Sequence, residues 1–193
     1  GGWVKWVAEK RRFEHMNVTV KPGSFTAMPK PELIVLKDEL KKLVKRPHPE
    51  TIIVDARSLE EYAGKEVQGI PRPGHIPSAV NVPWNGFLNP DATVKDVEAI
   101  RSVLEDKGLR PSCELIYYCT GGVRSSWLYF VLKLAGYPQV RNYPGSWWEW
   151  SREFAAPVQD ARESCRCQDQ WRSRRCADDR GRVITLLDIG QHP

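Results

Sequence analysis

Cys119 is followed by Thr120, Gly121, Gly122, Val123 and Arg124, and then by Ser125. A thiol, two adjacent glycines and a permanent cation within so few residues are the parts of an anion cradle. Adjacent glycines let the backbone curl until successive N–H groups point inward. The helix expected after the loop adds the positive end of its dipole, and Arg124 adds charge at any working pH. The anion nearest such a cradle is the thiolate of Cys119 itself. Helix N-termini and cations can draw a cysteine pKa from about 8.5 down to roughly 3.5–7.5. The chemistry on offer is nucleophilic attack by a stabilised thiolate, with no general base required.

The flanking sequence positions that thiol. Leu115, Ile116, Tyr117 and Tyr118 form an apolar run that reads as a buried strand ending at Cys119, and Ser125 to Leu134 has a helical pattern. Trp127, Phe130, Val131 and Leu134 are the expected buried face of that helix, with Gly136 as its cap. Thr51 to Ala56 reads as a second buried strand, leading into Asp55-Ala56-Arg57. A helix over 58–64 follows, with Ser58 as N-cap and Glu61 completing a capping box. Asp55 reads as structural support for the loop. Arg57 is its ion-pair partner and also a candidate substrate-binding cation. His75, in Gly74-His75-Ile76-Pro77, precedes a short strand and reads as a brace rather than a base. Arg72, between Pro71 and Pro73, is a candidate anion guide at the pocket mouth.

Further along the order repeats. Leu33 to Val44 and Thr93 to Lys107 have helical spacing, Gln139 to Tyr143 reads as a strand, and Phe25-Thr26-Ala27 as a short first strand. Alternating strands and helices imply an α/β fold in three layers, α/β/α, around a mainly parallel sheet of about five strands. Right-handed crossovers then carry the Cys119 loop to the carboxyl edge of the sheet, where such folds bind ligands.

Composition limits the alternatives. The chain has 193 residues, 41% of them hydrophobic, and 29 Lys+Arg against 24 Asp+Glu, a net charge of +5. There is no basic stripe with interleaved aromatics, so nucleic acid is not the expected partner. No apolar run approaches the ~20 residues of a membrane span. Cys113 and Cys119 do not read as parts of a disulfide framework. Cys165, Cys167, Cys176 and His192 lack the paired Cys-x-x-Cys knuckles of a zinc site, and no metal is expected. The compartment stays open between cytoplasm and periplasm, because any leader would lie upstream.

The two ends of the main body echo one another. Gly1-Gly2-Trp3-Val4-Lys5-Trp6 matches Gly145-Ser146-Trp147-Trp148-Glu149-Trp150, and each is followed by a phenylalanine, Phe13 or Phe154. Such an internal repeat suggests tandem copies of one domain. Residues 1–13 are therefore expected to be the terminal helix of a preceding domain, 14–31 a linker, 32–154 the domain that carries Cys119, and 155–193 an Arg/Cys-rich mobile tail.

Taken together, these segments resemble the rhodanese family of sulfurtransferases. The resemblance rests on the six-residue loop from Cys119 to Arg124, on Asp55-x-Arg57 followed by Glu61-Tyr62, on Gly74-His75-Ile76-Pro77-Ser78-Ala79, and on the closing Gly-Ser-Trp-x-x-Trp. Cysteine-dependent phosphatases resemble the loop too, but carry one residue more between Cys and Arg. The resemblance covers about 14–154 and is to the catalytic, C-terminal half of bacterial tandem thiosulfate/3-mercaptopyruvate sulfurtransferases. It implies that Cys119 takes a sulfane sulfur from thiosulfate, becomes a persulfide, and passes the sulfur to cyanide or a thiol. It implies that Thr120, Gly121, Gly122, Val123, Arg124 and Ser125 bind the persulfide, that no cofactor or metal takes part, and that a preceding rhodanese-like domain flanks the pocket. The sequence departs from the family pattern at several positions, and Thr120 and Gly121 are neutral where animal thiosulfate-specific enzymes carry two cations near the middle of the loop. Ser78 stands where a glycine is usual, Glu61 where thiosulfate-specific enzymes carry arginine, and Arg124 where mercaptopyruvate-specific relatives carry threonine. The rivals are 3-mercaptopyruvate as donor, phosphate or arsenate ester chemistry, and a non-catalytic module that carries sulfur.

Overall fold

A computed structural model describes residues 1–66 and 69–160, together with the backbone of two short strands at 176–177 and 183–184. The elements are α1 (Gly2–Ala8), α2 (Lys37–Lys45), β1 (Thr51–Asp55), α3 (Leu59–Tyr62), β2 (Val80–Asn81), α4 (Val97–Glu105), β3 (Glu114–Tyr118), α5 (Val123–Leu134), β4 (Val140–Asn142), α6 (Ser146–Arg152), β5 (Cys176–Ala177) and β6 (Val183–Ile184). β5 and β6 pair antiparallel.

The sheet runs β2-β1-β3-β4 and is parallel throughout, with Ile53 opposite Ile116 and Asp55 opposite Tyr118. β1 and β3 are central strands covered on both faces, which suits their runs Ile52-Ile53-Val54 and Leu115-Ile116-Tyr117-Tyr118. Side chains alternate across a strand, so Ile52, Val54, Leu115 and Tyr117 pack with Ile100 and Leu104 of α4 and Leu128, Val131 and Leu132 of α5. Ile53, Ile116 and Tyr118 face the other way, onto Leu40 of α2 and Trp147 and Trp150 of α6. The result is the three-layer α/β/α arrangement that the alternating elements imply.

Four strands form this sheet among the described residues, close to the five expected. The outer edge of β4 is continued only by a one-residue parallel bridge between Ile34 and Asn142. Phe25 to Ala27 is not a strand, and Phe25 is 91% exposed. The helix expected from Leu33 breaks into a turn over Pro31–Leu33, an extended step that sends Val35 into the core, and then α2. α4 begins four residues later than Thr93, because the Asp96 carboxylate accepts the Ala99 N–H at 2.8 Å and caps it there.

Two corrections concern burial and bonding. Phe130 and Leu134 of α5 are exposed, and the buried face is Ser125, Leu128, Val131 and Leu132. Cys113 is disulfide-bonded, against the expectation from its spacing, whereas Cys119 is a free thiol. Such pairing is a tertiary fact that spacing alone does not encode.

The packed body also runs past 154. Gln159 is buried and exchanges both backbone hydrogen bonds with His75, and Ala156 joins the core under α6. Of the expected mobile tail, residues 161–175, 178–182 and 185–193 lie outside the described residues. α1 buries none of its side chains. No helix among the described residues is long and apolar enough to cross a membrane.

Candidate active site

Cys119 follows the last residue of β3, and the chain turns at once into α5. Gly122 makes the turn with φ of 90°, in the left-handed region open to glycine. A Cβ at Gly122 would lie 2.6 Å from the Pro144 carbonyl oxygen, and one at Gly121 would lie 2.9 Å from the Trp148 ring. Both glycines are therefore required by close approach, and the first of these by conformation as well.

The loop encloses the thiol. The Gly122 N–H donates to Cys119 Sγ at 3.1 Å. The Ser125 hydroxyl stands 3.7 Å from Sγ and 3.0 Å from the Gly122 carbonyl oxygen, so its single proton is shared between two acceptors. Burial alone pushes the Cys119 thiol up. The Ser125 N–H and hydroxyl, with the N–H groups of Gly121 and Gly122, outweigh it and bring the pKa below its ordinary value. The cradle favours a thiolate, and it acts mainly through backbone dipoles.

The start of α6 fixes the loop from the other side. The Cys119 N–H donates to Ser146 Oγ at 3.1 Å, and Ser146 Oγ donates to the Tyr143 carbonyl at 2.9 Å. The N–H groups of Trp147 and Trp148 donate to the carbonyls of Cys119 and Thr120, each at 2.9 Å. Ser146 achieves this with φ of 51°, a strained value for a residue with a side chain. These anchors were not among the expected site residues. The signal that could have pointed to them is the Gly-Ser-Trp-x-x-Trp segment itself, which reads only as a closing helix.

Glu61 is the other unforeseen member. As expected, its carboxylate closes the capping box with Ser58. It also takes the Arg124 guanidinium in a two-pronged pair, 2.8 Å on each side, and accepts the Thr120 hydroxyl at 2.6 Å. Thr120 in turn accepts from Arg124. Partial burial pushes the Glu61 carboxyl up, but Arg124, Thr120 and the Ser58 N–H overcome it and hold the pKa at about 2. The Arg124 cation expected in the cradle is therefore matched by a full negative charge.

The other predicted side chains lie deeper. Asp55 accepts from the Arg57 guanidinium at 2.7 to 3.1 Å and from Tyr118 Oη at 2.6 Å. Arg57 is 1% exposed, gives its remaining bond to the Gly74 carbonyl, and lies over the Trp147 ring. Arg72 spends its guanidinium on the carbonyls of Trp150, Ser151, Glu153 and Ala156, which closes the C-terminal end of α6. His75 is fully buried, stacked 3.7 Å from the Tyr62 ring, with Nδ1 against the Tyr62 carbonyl. The structure thus brings Thr120 to Ser125 together around Cys119, with Val123 exposed on the rim. Arg57, Arg72, Asp55 and His75 instead sit in the scaffold beneath and beside the loop. Among the described residues there is no group of three or more His, Cys, Asp or Glu placed to hold a metal.

Comparison with known proteins falls on the same segment. The Rhodanese-like domain family matches residues 36–153. The chain is 36% identical to the "Sulfur carrier protein TtuD" of Thermus thermophilus, over 84% of this chain and 61% of that protein. It is also 36% identical to a Mycobacterium bovis protein provisionally named thiosulfate sulfurtransferase 1, over 82% of this chain and 59% of that one. Among solved structures, an anaerobic ergothioneine biosynthesis enzyme from Chlorobium limicola, in complex with trimethyl histidine, superposes with a TM-score of 0.73 at 26% identity, covering 82% of this chain and 40% of its own. The chain thus spans about three fifths of the length of these curated relatives. With the cradled thiol, the parallel sheet and the family match coinciding, the chain belongs to the rhodanese-like domain family.

Proposed function

We propose that this protein transfers sulfane sulfur through a persulfide on Cys119. The Cys119 thiolate attacks the outer sulfur of thiosulfate. A new S–S bond forms, the S–S bond of thiosulfate breaks, and sulfite leaves with that bond's electron pair. The terminal sulfur of the persulfide carries the negative charge and occupies the cradle of loop N–H groups. Cyanide or a thiolate then attacks that sulfur, thiocyanate or a new persulfide leaves, and the Cys119 thiolate is regenerated. The observation that carries this reading is the Gly122 N–H pointing at Cys119 Sγ from 3.1 Å, within a loop whose N–H groups favour an anion. A solved structure of another protein, an EanB variant that carries a cysteine persulfide with ergothioneine, superposes with a TM-score of 0.74 at 26% identity and supports the same intermediate.

A second donor is favoured by a specific contact. Glu61 cancels the charge of Arg124, so the loop has less to offer a dianion than a free arginine would provide. 3-Mercaptopyruvate, with a single carboxylate, fits that electrostatic setting. A sulfur-carrying role without turnover is the third reading; the Thermus relative is named a sulfur carrier protein. We also infer that α1 closes a preceding rhodanese-like domain. Trp147 and Trp150 are fully buried in α6, whereas their counterparts Trp3 and Trp6 are 62% and 41% exposed on a helix with no buried residue.

Intact-mass measurement after incubation with thiosulfate, beside Cys119→Ser, tests the central step. A gain of one sulfur atom, reversed by cyanide and absent from the variant, is expected. No gain with either thiosulfate or 3-mercaptopyruvate would overturn it.

A further inference from the structure

Glu61 completes four hydrogen bonds, and three of them reach the Cys119 loop. Oε1 accepts from Thr120 and from Arg124, and Oε2 accepts from Arg124 and from the Ser58 N–H. Both carboxylate oxygens are thus held by two donors each. Its side chain is 15% exposed and that of Arg124 is 28%, so the pair is partly open to solvent beside the Cys119 loop. The residues come from distant parts of the chain, 63 positions apart, so nothing local demands the pair. α3 needs Glu61 only for its cap, which a glutamine would also supply.

We infer that Glu61 is a positioning and selectivity residue, which holds Arg124 against Thr120 and cancels its charge, so that Cys119 reacts with little preference for reagents of higher negative charge. This deepens the sulfur-transfer reading and rests on it for the identity of the donors, but the electrostatic claim concerns any reagent that reaches Sγ. The anion stabilisation comes chiefly from the N–H groups of Gly121, Gly122 and Ser125 and the Ser125 hydroxyl, while Arg124, which also interacts with Cys119, has its charge offset by Glu61. With Glu61 uncharged, Arg124 would stand as a net cation beside the thiolate and would draw anions in.

The experiment compares two alkylating reagents that differ by one charge. Iodoacetate and iodoacetamide both react by forming an S–C bond and expelling iodide. Their rate ratio at Cys119, followed on the peptide that carries it, reports the charge around the thiol and is insensitive to the thiolate fraction. In Glu61→Gln the ratio of iodoacetate to iodoacetamide rates is expected to rise about tenfold, the effect of one uncompensated charge close to a partly buried site. Glu61→Asp keeps the charge and is expected to stay near the wild-type ratio. In parallel, the ratio of kcat/KM for thiosulfate over 3-mercaptopyruvate should rise in Glu61→Gln. An unchanged reagent ratio in Glu61→Gln, or the same change in both variants, would overturn the inference, because a merely structural role does not sense reagent charge. A shifted reagent ratio without persulfide formation from any donor would instead leave the selectivity role standing and sink the sulfur-transfer reading.

Discussion

The Cys119 N–H donates to Ser146 Oγ, and the next residue, Trp147, donates its own N–H to the Cys119 carbonyl. Both backbone groups of the nucleophile are thus held by the first residues of α6, 27 positions away. Ser146 adopts φ of 51° to make this contact, which costs on the order of 1–3 kcal/mol for a non-glycine residue. Ser146→Ala keeps the strained backbone and leaves a buried N–H without a partner, a loss of about 1–3 kcal/mol. Urea unfolding should show that loss. If stability is unchanged, the Cys119–Ser146 bond does not hold the loop.

Gly122 sets the direction of the N–H that points at Sγ. Alanine there meets the Pro144 carbonyl at 2.6 Å and must adopt φ near 90°. The loop has to move, and a displacement of about 1 Å in a catalytic group costs roughly 10²-fold in rate. Gly122→Ala is therefore expected to raise the Cys119 pKa and to cut persulfide formation by about that factor. The pH profile of alkylation at Cys119 reads the first effect directly. An unchanged profile would mean that the Gly122 N–H does not stabilise the thiolate.

What could be seen in the sequence was local. The apolar run of β3 followed by Cys119, Gly121, Gly122 and Arg124 marks a strand, a tight turn and a helix start, and Ser58-x-x-Glu61 marks a cap. These patterns depend on neighbours within a few residues. The partners of long polar side chains do not. Arg57, Arg72 and Arg124 are alike in sequence, yet one is spent on Asp55, one on the end of α6 and one on Glu61. The buried face of α5 escaped for another reason. Trp127 to Leu134 is apolar almost all round, so periodicity does not choose a side, and the sheet decides in favour of Leu128 and Leu132. Residues 155–160 read as the start of a tail because Ala155 to Asp160 has no pattern of its own. Its order comes from pairing with His75.

Arg57 gives a sharp test of scaffold against substrate contact. Its guanidinium and the Asp55 carboxylate are buried together, and Tyr118 Oη completes the set. Removing one partner of a buried ion pair leaves an uncompensated charge and costs about 3–5 kcal/mol. Arg57→Ala is expected to destabilise the fold by that amount. Arg57→Ala together with Asp55→Asn should recover part of the loss, because the orphaned charge is gone. If Arg57→Ala leaves unfolding unchanged and raises only the donor KM, Arg57 is a substrate contact after all.

His75 makes stability depend on pH. Its ring is fully buried against the Tyr62 ring, Nδ1 lies 2.9 Å from the Tyr62 carbonyl, and Nε2 has no hydrogen-bond partner among the described residues. For the carbonyl to accept, Nδ1 carries the proton, so Nε2 is the site that a second proton must take. Burial pushes the pKa down and the Tyr62 carbonyl pulls it partly back, leaving it below the ordinary value. In the unfolded chain the ring titrates near its usual value of about 6.5. Below that pH the unfolded state binds a proton that the folded state refuses, so stability falls as pH falls. The contribution is complete above about pH 6.5 and is lost progressively below it, by at most ~1.4 kcal/mol per pH unit for one proton. Urea unfolding from pH 8 to pH 5 should therefore be flat at first and then decline. In His75→Phe, which keeps a ring against Tyr62 but cannot titrate, the decline should be shallower even though the variant is less stable overall. An identical slope in the two proteins would place the acid sensitivity elsewhere.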